Sequence, residues 1–422
     1  MRIAYLTGTY PRVTDTFIQR EVAVLRENGM NVHTFSVRQP DEQQIVGPEQ
    51  KEEREGTFYL LPPNLGQLAW AHLRLIMQSP GRYIKAVQLA WQTHQPGIKG
   101  TLYQLFYFAE AGLLSSQICD RNIQHLHNHF GNSSCTVAML ASALGGFSYS
   151  FTMHGPSIFF EPKHWKIDEK IKRALFVVCI SDFCRSQAMV FSPYSMWDKM
   201  HIVHCGVNPS QFLPATHQGV GYRLLFVGRL AAVKGLPILL EGLRILKQAF
   251  PNIILTLVGD GPDRTMLESQ TAQLGLGEHV RFVGYKSQAE VRQYLQETDV
   301  FVLPSFAEGV PVCLMESMAS GVPVIATAIA GVSELVEDGV SGYVIPPGNA
   351  NLLAERIEAL LRNPQLRETF GLAGRSKVTK EFNLSAEARR FCLVLTSSLA
   401  GKKEAIRPEL KHLRHLQSSQ TA

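Results

Sequence analysis

Two carboxylates follow an apolar run in the second half of the chain. The run 300–303 predicts a buried strand, and Glu308 lies in the loop after it. Glu316 lies eight positions later, in a helix that we expect to begin at about Pro311. Free N–H groups at a helix N-terminus favour anions, and carboxylates accept hydrogen bonds from hydroxyl groups. Together they suit a ligand with hydroxyls and phosphates, such as a sugar nucleotide. An ordinary strand-to-helix turn is the alternative.

Two basic residues flank a loop in front of these carboxylates. Arg229 follows a predicted strand over 223–227, and Lys234 precedes a predicted helix over 236–248. Two fixed cations would neutralise a diphosphate and stabilise it further as a leaving group that gains charge. Basic residues are common in loops. The pair therefore indicates a diphosphate site only in combination with the two carboxylates.

Histidines mark two strand ends in the first half. His154 ends a strand at a His-Gly-Pro turn, on the rim where ligands bind in parallel α/β sheets, although a capped surface histidine is the alternative. His125, His127 and His129 alternate along one strand face, as metal ligands can. No carboxylate or cysteine nearby in the sequence completes a ligand set. We therefore predict no metal and expect these histidines to line a pocket.

Strand and helix signals alternate along the chain. Residues 2–37 predict a βαβ unit without a GxGxxG motif, so the fingerprint of a nicotinamide or flavin site is missing. A second such series begins at residue 222, and 422 residues suit two domains of roughly 200 residues each. We predict an α/β fold in which two Rossmann-like, doubly wound domains face each other across a cleft.

Composition and charge exclude several classes of protein. The net charge of +5 is too small and too dispersed to indicate nucleic-acid binding. Seven cysteines without a CxxC motif fit a reducing compartment. The first apolar run is too short for a signal peptide, and the uncharged stretch 130–153 is interrupted by polar residues and glycines. We expect a soluble, cytoplasmic protein.

A helical pattern over 60–119 mixes aromatic and basic residues. Such a face could lie on a membrane that carries a lipid-linked acceptor. Packing of these helices against a sheet is the alternative, and the sequence leaves both open. The aromatic and basic residues are Trp70, Arg74, Arg82, Tyr83, Lys85, Trp91, Lys99, Tyr103, Phe106, Tyr107 and Phe108.

Motifs in the second half occur in a distinctive order and spacing. They are 228–230 with 234–235, Gly259-Asp260-Gly261-Pro262, 282–285, Glu308 with Glu316 as Glu-x7-Glu, 318–326, 331–336 and 339–342. In this order they resemble glycosyltransferase family 4, retaining enzymes of the GT-B fold. The first half resembles the colanic-acid-type exopolysaccharide branch of this family. The residues that carry this resemblance are 15–18 with 21–22, 127–130, 151–155 and 203–207. The loop 7–11 departs from the Gly-Gly loop that many members carry.

The resemblance implies roles for individual residues. It makes His154, Arg229, Lys234 and Glu308 catalytic, with His154 reaching the donor sugar from the opposite domain. Acceptor contacts are implied for Gly8, Thr9, His127 and His129. It places Glu316 on the ribose and 283–285 beside the base. Donor contacts are implied for Gly228, Arg229, Lys234, Val283, Gly284, Tyr285, Glu308, Gly309, Val310, Pro311, Val312 and Glu316.

The predicted function is retaining transfer of a sugar from a nucleotide sugar to a lipid-linked glycan, in exopolysaccharide or cell-surface polysaccharide synthesis. No Asp-x-Asp occurs in the chain, so we predict neither a metal nor another cofactor. Peripheral contact with the inner face of the plasma membrane is a further expectation. A sugar-nucleotide epimerase or hydrolase, and a non-catalytic sugar-nucleotide-binding protein, are the alternatives.

Five segments are predicted. They are an acceptor-side domain over 1–207, a linker over 208–221, a nucleotide-sugar-binding domain over 222–384, a helix over 385–400, and a disordered tail over 401–422. The resemblance implies that the helix over 385–400 crosses back to the first domain.

Overall fold

Two parallel β-sheets organise the chain. The computed structural model describes residues 1–155, 157–215 and 219–402. The first sheet has the strand order β3-β2-β1-β4-β5-β6-β7 and the second β10-β9-β8-β11-β12-β13. The strands are β1 (Arg2–Thr9), β2 (Asn31–Arg38), β3 (Phe58–Tyr59), β4 (His125–His129), β5 (Ser148–Met153), β6 (Val177–Cys179), β7 (Met200–Ile202), β8 (Arg223–Val227), β9 (Ile254–Val258), β10 (Val280–Gly284), β11 (Val300–Leu303), β12 (Val324–Thr327) and β13 (Gly342–Ile345).

Helices connect the strands of both sheets. Those that accompany the first sheet are α1 (Thr16–Glu27), α2 (Pro48–Gly56), α3 (Leu65–Gln78), α4 (Pro80–Thr93), α5 (Ile98–Asp120), α6 (Ser133–Gly145), α7 (Ser157–Phe160), α8 (Ile167–Arg173) and α9 (Asp182–Val190). Those that follow are α10 (Leu236–Leu246), α11 (Arg264–Gln273), α12 (Gln288–Gln296), α13 (Val312–Ala319), α14 (Val332–Leu335), α15 (Ala350–Arg362), α16 (Pro364–Glu381) and α17 (Leu384–Leu399). The predicted α/β architecture of two doubly wound sheets is confirmed.

Local sequence signals account for the elements that carry the site. The apolar run 300–303 is β11, whose four side chains are all buried, as expected for a strand of a parallel sheet covered on both faces. Pro311 is the N-cap residue of α13, so this helix begins one residue later than expected. The helix predicted over 236–248 is α10, which ends two residues early, within the usual uncertainty of helix ends.

The order of strands predicts ligand sites at two points. The order reverses between β1 and β4 in the first sheet and between β8 and β11 in the second. Ligands of doubly wound sheets bind outside the carboxyl ends of strands at such a switch point. The loops after β8 and β11 hold Arg229, Lys234 and Glu308, and α13 after the second loop holds Glu316. Their position near the switch point follows from the topology.

The last helix lies on the first domain. Phe391 and Leu395 of α17 share a small apolar core with Tyr5 and Val22. The backbone N–H of His204 donates to Glu387 Oε2 at 2.8 Å. The segment boundaries nevertheless stay predictions, and most of the predicted tail, residues 403–422, lies outside the described residues. Among the described helices, none has both the length and the apolar character that a membrane crossing requires.

Candidate active site

A cleft of about 460 Å³ lies between the two sheets and is lined by residues of both domains. His154 lines it from the first domain. Of the twelve predicted donor residues, all but Val283 and Gly284 line it too. Gly8 and Thr9 instead line a neighbouring cavity, and His127 and His129 are buried in the first sheet.

Lys234 and Glu308 form an ion pair at the floor of the cleft. Lys234 Nζ donates to Glu308 Oε1 at 2.5 Å, and Ser305 Oγ donates to the same oxygen at 2.7 Å. Burial by itself lowers the pKa of Lys234, but the charge of Glu308 and their hydrogen bond outweigh it and raise the pKa above its usual value. Lys234 is therefore a fixed cation at neutral pH.

A close approach of two loops creates this pair. The backbone N–H of Phe306 donates to Val233 O at 2.7 Å. Gly235 has φ of +63°, and a Cβ there would lie 2.1 Å from Pro304 O. Only glycine combines this conformation with this proximity. The Lys-Gly sequence thus brings the loop after β8 against the loop after β11.

Arg229 supplies a second cation. It is exposed within the cleft, and no carboxylate lies within ion-pair distance of it among the described residues. In the first turn of α13, the leading N–H groups have no partner within the helix. The two cations and these amides are the groups on the second domain's side of the cleft that would favour a diphosphate.

Glu316 is held by a residue of the first domain. Arg20 Nη2, on α1, donates to Glu316 Oε1 at 2.6 Å and also to Gln288 Oε1. The Glu316 side chain is buried, and the residue lines the cleft. Sequence reasoning did not find Arg20, because a basic residue in an amphipathic helix gives no signal of a partner in another domain.

The two domains also meet through backbone groups. Glu334 accepts hydrogen bonds from the backbone N–H groups of Asp182 and Phe183, both at 2.8 Å, and so caps the N-terminus of α9 across the domain boundary. A Cβ at Gly309 would lie 2.0 Å from His154 O. The Glu-Gly loop therefore packs directly on the backbone of His154.

His154 is a neutral side chain in a fixed orientation. Its Nε2 lies 2.9 Å from His129 Nδ1, and its Nδ1 lies 3.7 Å from Cys205 Sγ. Phe17 and Phe130 contact its ring at centroid distances of 4.7 and 4.8 Å. Burial, and then the proximity of His129, holds the pKa of His154 well below its usual value.

The alternating histidines belong to a hydrogen-bonded ladder inside the first sheet. His127 lies between Ser150 Oγ at 2.8 Å and Thr152 Oγ1 at 2.9 Å. Glu21, on α1, brings a carboxylate within 4.8 Å of the ring nitrogens of His127 and His129, which the sequence did not indicate. Both nitrogens of His127 already have hydrogen-bond partners. The absence of a metal at this cluster stays a prediction.

The buried histidines predict a loss of stability in mild acid. Burial lowers the pKa of His125 to about 3 and that of His127 and His154 well below the usual value. The unfolded chain takes up a proton at each below roughly pH 6.5, whereas the folded protein does not. Each histidine should therefore cost about 1.4 kcal/mol of unfolding free energy per pH unit below that point.

Urea unfolding between pH 7 and pH 5 measures this effect. His127→Gln should make the pH dependence shallower by about one histidine's share, and the exposed His164→Gln should leave it unchanged. Identical pH dependence in the His127 variant and the unmodified protein would contradict the buried, neutral state of His127.

Comparison with known proteins identifies the second domain. Residues 216–377 match the family model described as "Glycosyl transferases group 1", and this segment contains both cations and both carboxylates. This match covers less than half of the chain. The predicted assignment to glycosyltransferases is thereby confirmed, whereas the family number 4 stays a prediction.

Curated relatives of this chain are glycosyltransferases named for polysaccharide synthesis. The chain is 36% identical over 208 residues to the amylovoran biosynthesis glycosyltransferase AmsK of Erwinia amylovora. This alignment covers 47% of this chain and 51% of AmsK. The chain is 27% identical over 424 residues to the putative colanic acid biosynthesis glycosyltransferase WcaL of Salmonella typhimurium. This alignment covers 94% of this chain and 99% of WcaL. The predicted likeness to the colanic-acid-type branch is confirmed.

Solved structures share the whole fold. Sucrose-phosphate synthase from Thermosynechococcus elongatus has a TM-score of 0.75 at 19% identity, over 95% of this chain and 100% of that chain. Anabaena Alr3699/HepE in complex with UDP-glucose has a TM-score of 0.70 at 17% identity, over 94% of this chain and 100% of that chain. The predicted GT-B fold is confirmed.

Proposed function

We propose that this glycosyltransferase transfers a sugar, with retention of the anomeric configuration and without a metal, from a nucleotide sugar to a lipid-linked glycan. The observation that carries the proposal is the cleft in which the Lys234–Glu308 pair of one domain meets His154 of the other. The names of AmsK and WcaL support a role in exopolysaccharide or cell-surface polysaccharide synthesis.

The donor would lie along the second domain. Arg229 and Lys234 would bind its diphosphate, and Glu316, oriented by Arg20, would bind the ribose hydroxyls. Tyr285 lies beside the expected base, where its hydroxyl donates to Asp260 O at 3.1 Å. The structural neighbour HepE, described in complex with UDP-glucose, supports a nucleotide-sugar donor. A titration with UDP, GDP and ADP tests the proposed donor site. At least one of these nucleotides should bind, and Arg229→Ala should weaken its binding.

Chemistry in such a site depends on electrostatic stabilisation. The bond between the anomeric carbon and the diphosphate oxygen breaks, and the acceptor oxygen bonds to the same face. The departing phosphate takes the acceptor proton, so no side chain has to act as the base. Lys234 and Arg229 would stabilise the negative charge that develops on the diphosphate, and Glu308 would face the donor sugar.

The same charges support the proposal that no metal is needed. Two cations can neutralise the diphosphate in place of a divalent ion, and the chain contains no Asp-x-Asp motif to bind one there. An epimerase or hydrolase would use the same donor pocket but would need no acceptor cavity beside it. The cavity lined by Gly8 and Thr9 therefore favours transfer to an acceptor.

The face formed by α3, α4 and α5 supports contact with a membrane. Residues 57–109 contain four basic residues and neither Asp nor Glu, so the charge of this face complements an anionic lipid surface. Its exposed apolar side chains are Leu65, Trp70, Leu73, Ile76, Met77, Ile84, Val87, Trp91, Ile98, Leu102, Tyr103, Leu105 and Phe106. We include peripheral binding to the inner face of the plasma membrane in the proposal.

Vesicle sedimentation tests this surface. Trp70, Trp91 and Phe106 are 62%, 65% and 61% exposed, and their joint replacement by serine should reduce binding to phosphatidylglycerol vesicles at least tenfold. The matched control replaces Leu372 and Leu393, equally exposed on α16 and α17, and should bind as the unmodified protein does. Equal binding by the triple variant and the control would exclude this face as the membrane surface.

A further inference from the structure

A second cavity, of about 190 Å³, lies beside the cleft and shares Arg12 and Phe130 with it. It lies where β1 and β2 end and where α5 passes over them. Donor binding does not require it. Its remaining lining is mostly polar and consists of Gly8, Thr9, Val37, Arg38, Tyr107, Glu110, Asn132 and Ser133.

Glu110 brings an unpartnered carboxylate to this cavity. Its side chain lies on α5 and is only 9% exposed. Its Oε2 is buried and meets no hydrogen-bond donor among the described residues. A buried carboxyl without a partner destabilises a fold, so such a group indicates a ligand that completes it. Burial raises the pKa of Glu110 to about 7, although Arg38 opposes the rise.

Arg38 brings an uncommitted cation to the same cavity. Its side chain is exposed at the end of β2, and no carboxylate lies within ion-pair distance of it in the described part of the chain. Arg12 differs, because its Nε donates to Asp15 Oδ2 at 2.8 Å. A guanidinium with free donors binds a phosphate through two parallel hydrogen bonds.

We propose that this cavity binds the acceptor as a glycosyl phosphate, with Glu110 on the sugar hydroxyls and Arg38 on the phosphate. The inference rests on the proposed function and names two specificity-determining residues for its acceptor. Tyr107 and Glu110 line the cavity from α5, while Leu105 and Phe106 of the same helix are exposed. A lipid attached to the phosphate can therefore leave the cavity towards the proposed membrane face.

Binding of three small probes to the full chain tests the inference. The probes are glucose 1-phosphate, glucose and inorganic phosphate, titrated by NMR. Glucose 1-phosphate should bind at least tenfold more tightly than either part alone. Arg38→Ala should weaken the binding of glucose 1-phosphate and of phosphate about tenfold and leave the affinity for glucose unchanged. Glu110→Gln should weaken the binding of glucose 1-phosphate and of glucose and leave the affinity for phosphate unchanged.

Two controls separate this role from a structural one. Glu110→Gln should melt at or above the temperature of the unmodified protein, because it removes an unpartnered buried charge. Asp120→Asn, on the same helix but paired with Arg74 outside the cavity, should leave all three affinities unchanged. If neither Arg38→Ala nor Glu110→Gln changes any affinity selectively, the inference is wrong. The test needs no turnover, so its failure is distinct from a failure of the proposed function.

Discussion

Lys234→Ala reduces sugar transfer on the order of 10³-fold, to the limit of detection, while the protein stays folded. Glu308→Ala gives the same result. The two residues form one ion pair at the floor of the cleft, so either replacement removes charge from the place where the diphosphate and donor sugar are expected. Transfer is measured by mass spectrometry of the product, and folding by thermal melting followed by circular dichroism.

Folding survives because the pair is only part of a larger network. In Lys234→Ala, Glu308 keeps the hydrogen bond from Ser305 and borders the open cleft. The loss of stability therefore stays below the roughly 3–5 kcal/mol expected when a fully buried pair is broken. Lys377→Ala is the control, since it removes a surface ion pair with Glu381. Near-normal turnover in both cleft variants would exclude the assigned site.

His154→Ala lowers turnover about 10²-fold or more but changes nucleotide affinity by less than about threefold. His154 lies on the first domain, opposite the cations, and its backbone contacts Gly309. We therefore expect His154 to contact the donor sugar and not the nucleotide. Single-turnover kinetics gives the rate, and calorimetric titration with the nucleoside diphosphate gives the affinity.

A second histidine controls for nonspecific effects of this replacement. His279 Nδ1 bonds Ile253 O at 2.9 Å, outside the cleft, so His279→Ala should retain both turnover and nucleotide affinity. Equal losses of turnover and affinity in His154→Ala would instead place His154 on the nucleotide.

Local sequence patterns were sufficient for the fold and for most of the second domain's side of the cleft. Val283 and Gly284 were predicted beside the donor but do not line the cleft. The apolar run 300–303 predicted a buried strand, and Pro311 marks the start of the helix that carries Glu316. Parallel strands end on one rim, so Arg229, Lys234 and Glu308 had to lie near one another once the α/β alternation was recognised. These inferences use short-range periodicity and one topological rule.

Contacts between distant segments could not be predicted in this way. Arg20 and Glu316 are 296 positions apart, and Glu334 reaches the amides of 182–183 from another domain. Glu110 was overlooked because nothing in the helical pattern of α5 shows that its carboxyl is buried without a partner. Each depends on how the domains or layers pack, which hydrophobic periodicity does not determine.

Product analysis with and without acceptor tests the central claim most directly. The protein is incubated with each of a panel of nucleotide sugars, with or without a lipid-diphosphate-linked saccharide, in the presence of EDTA. We predict a glycosidic bond that keeps the anomeric configuration of the donor, together with one nucleoside diphosphate released per sugar transferred. A product that forms equally without acceptor, an inverted linkage, or transfer that requires an added divalent metal would contradict the account.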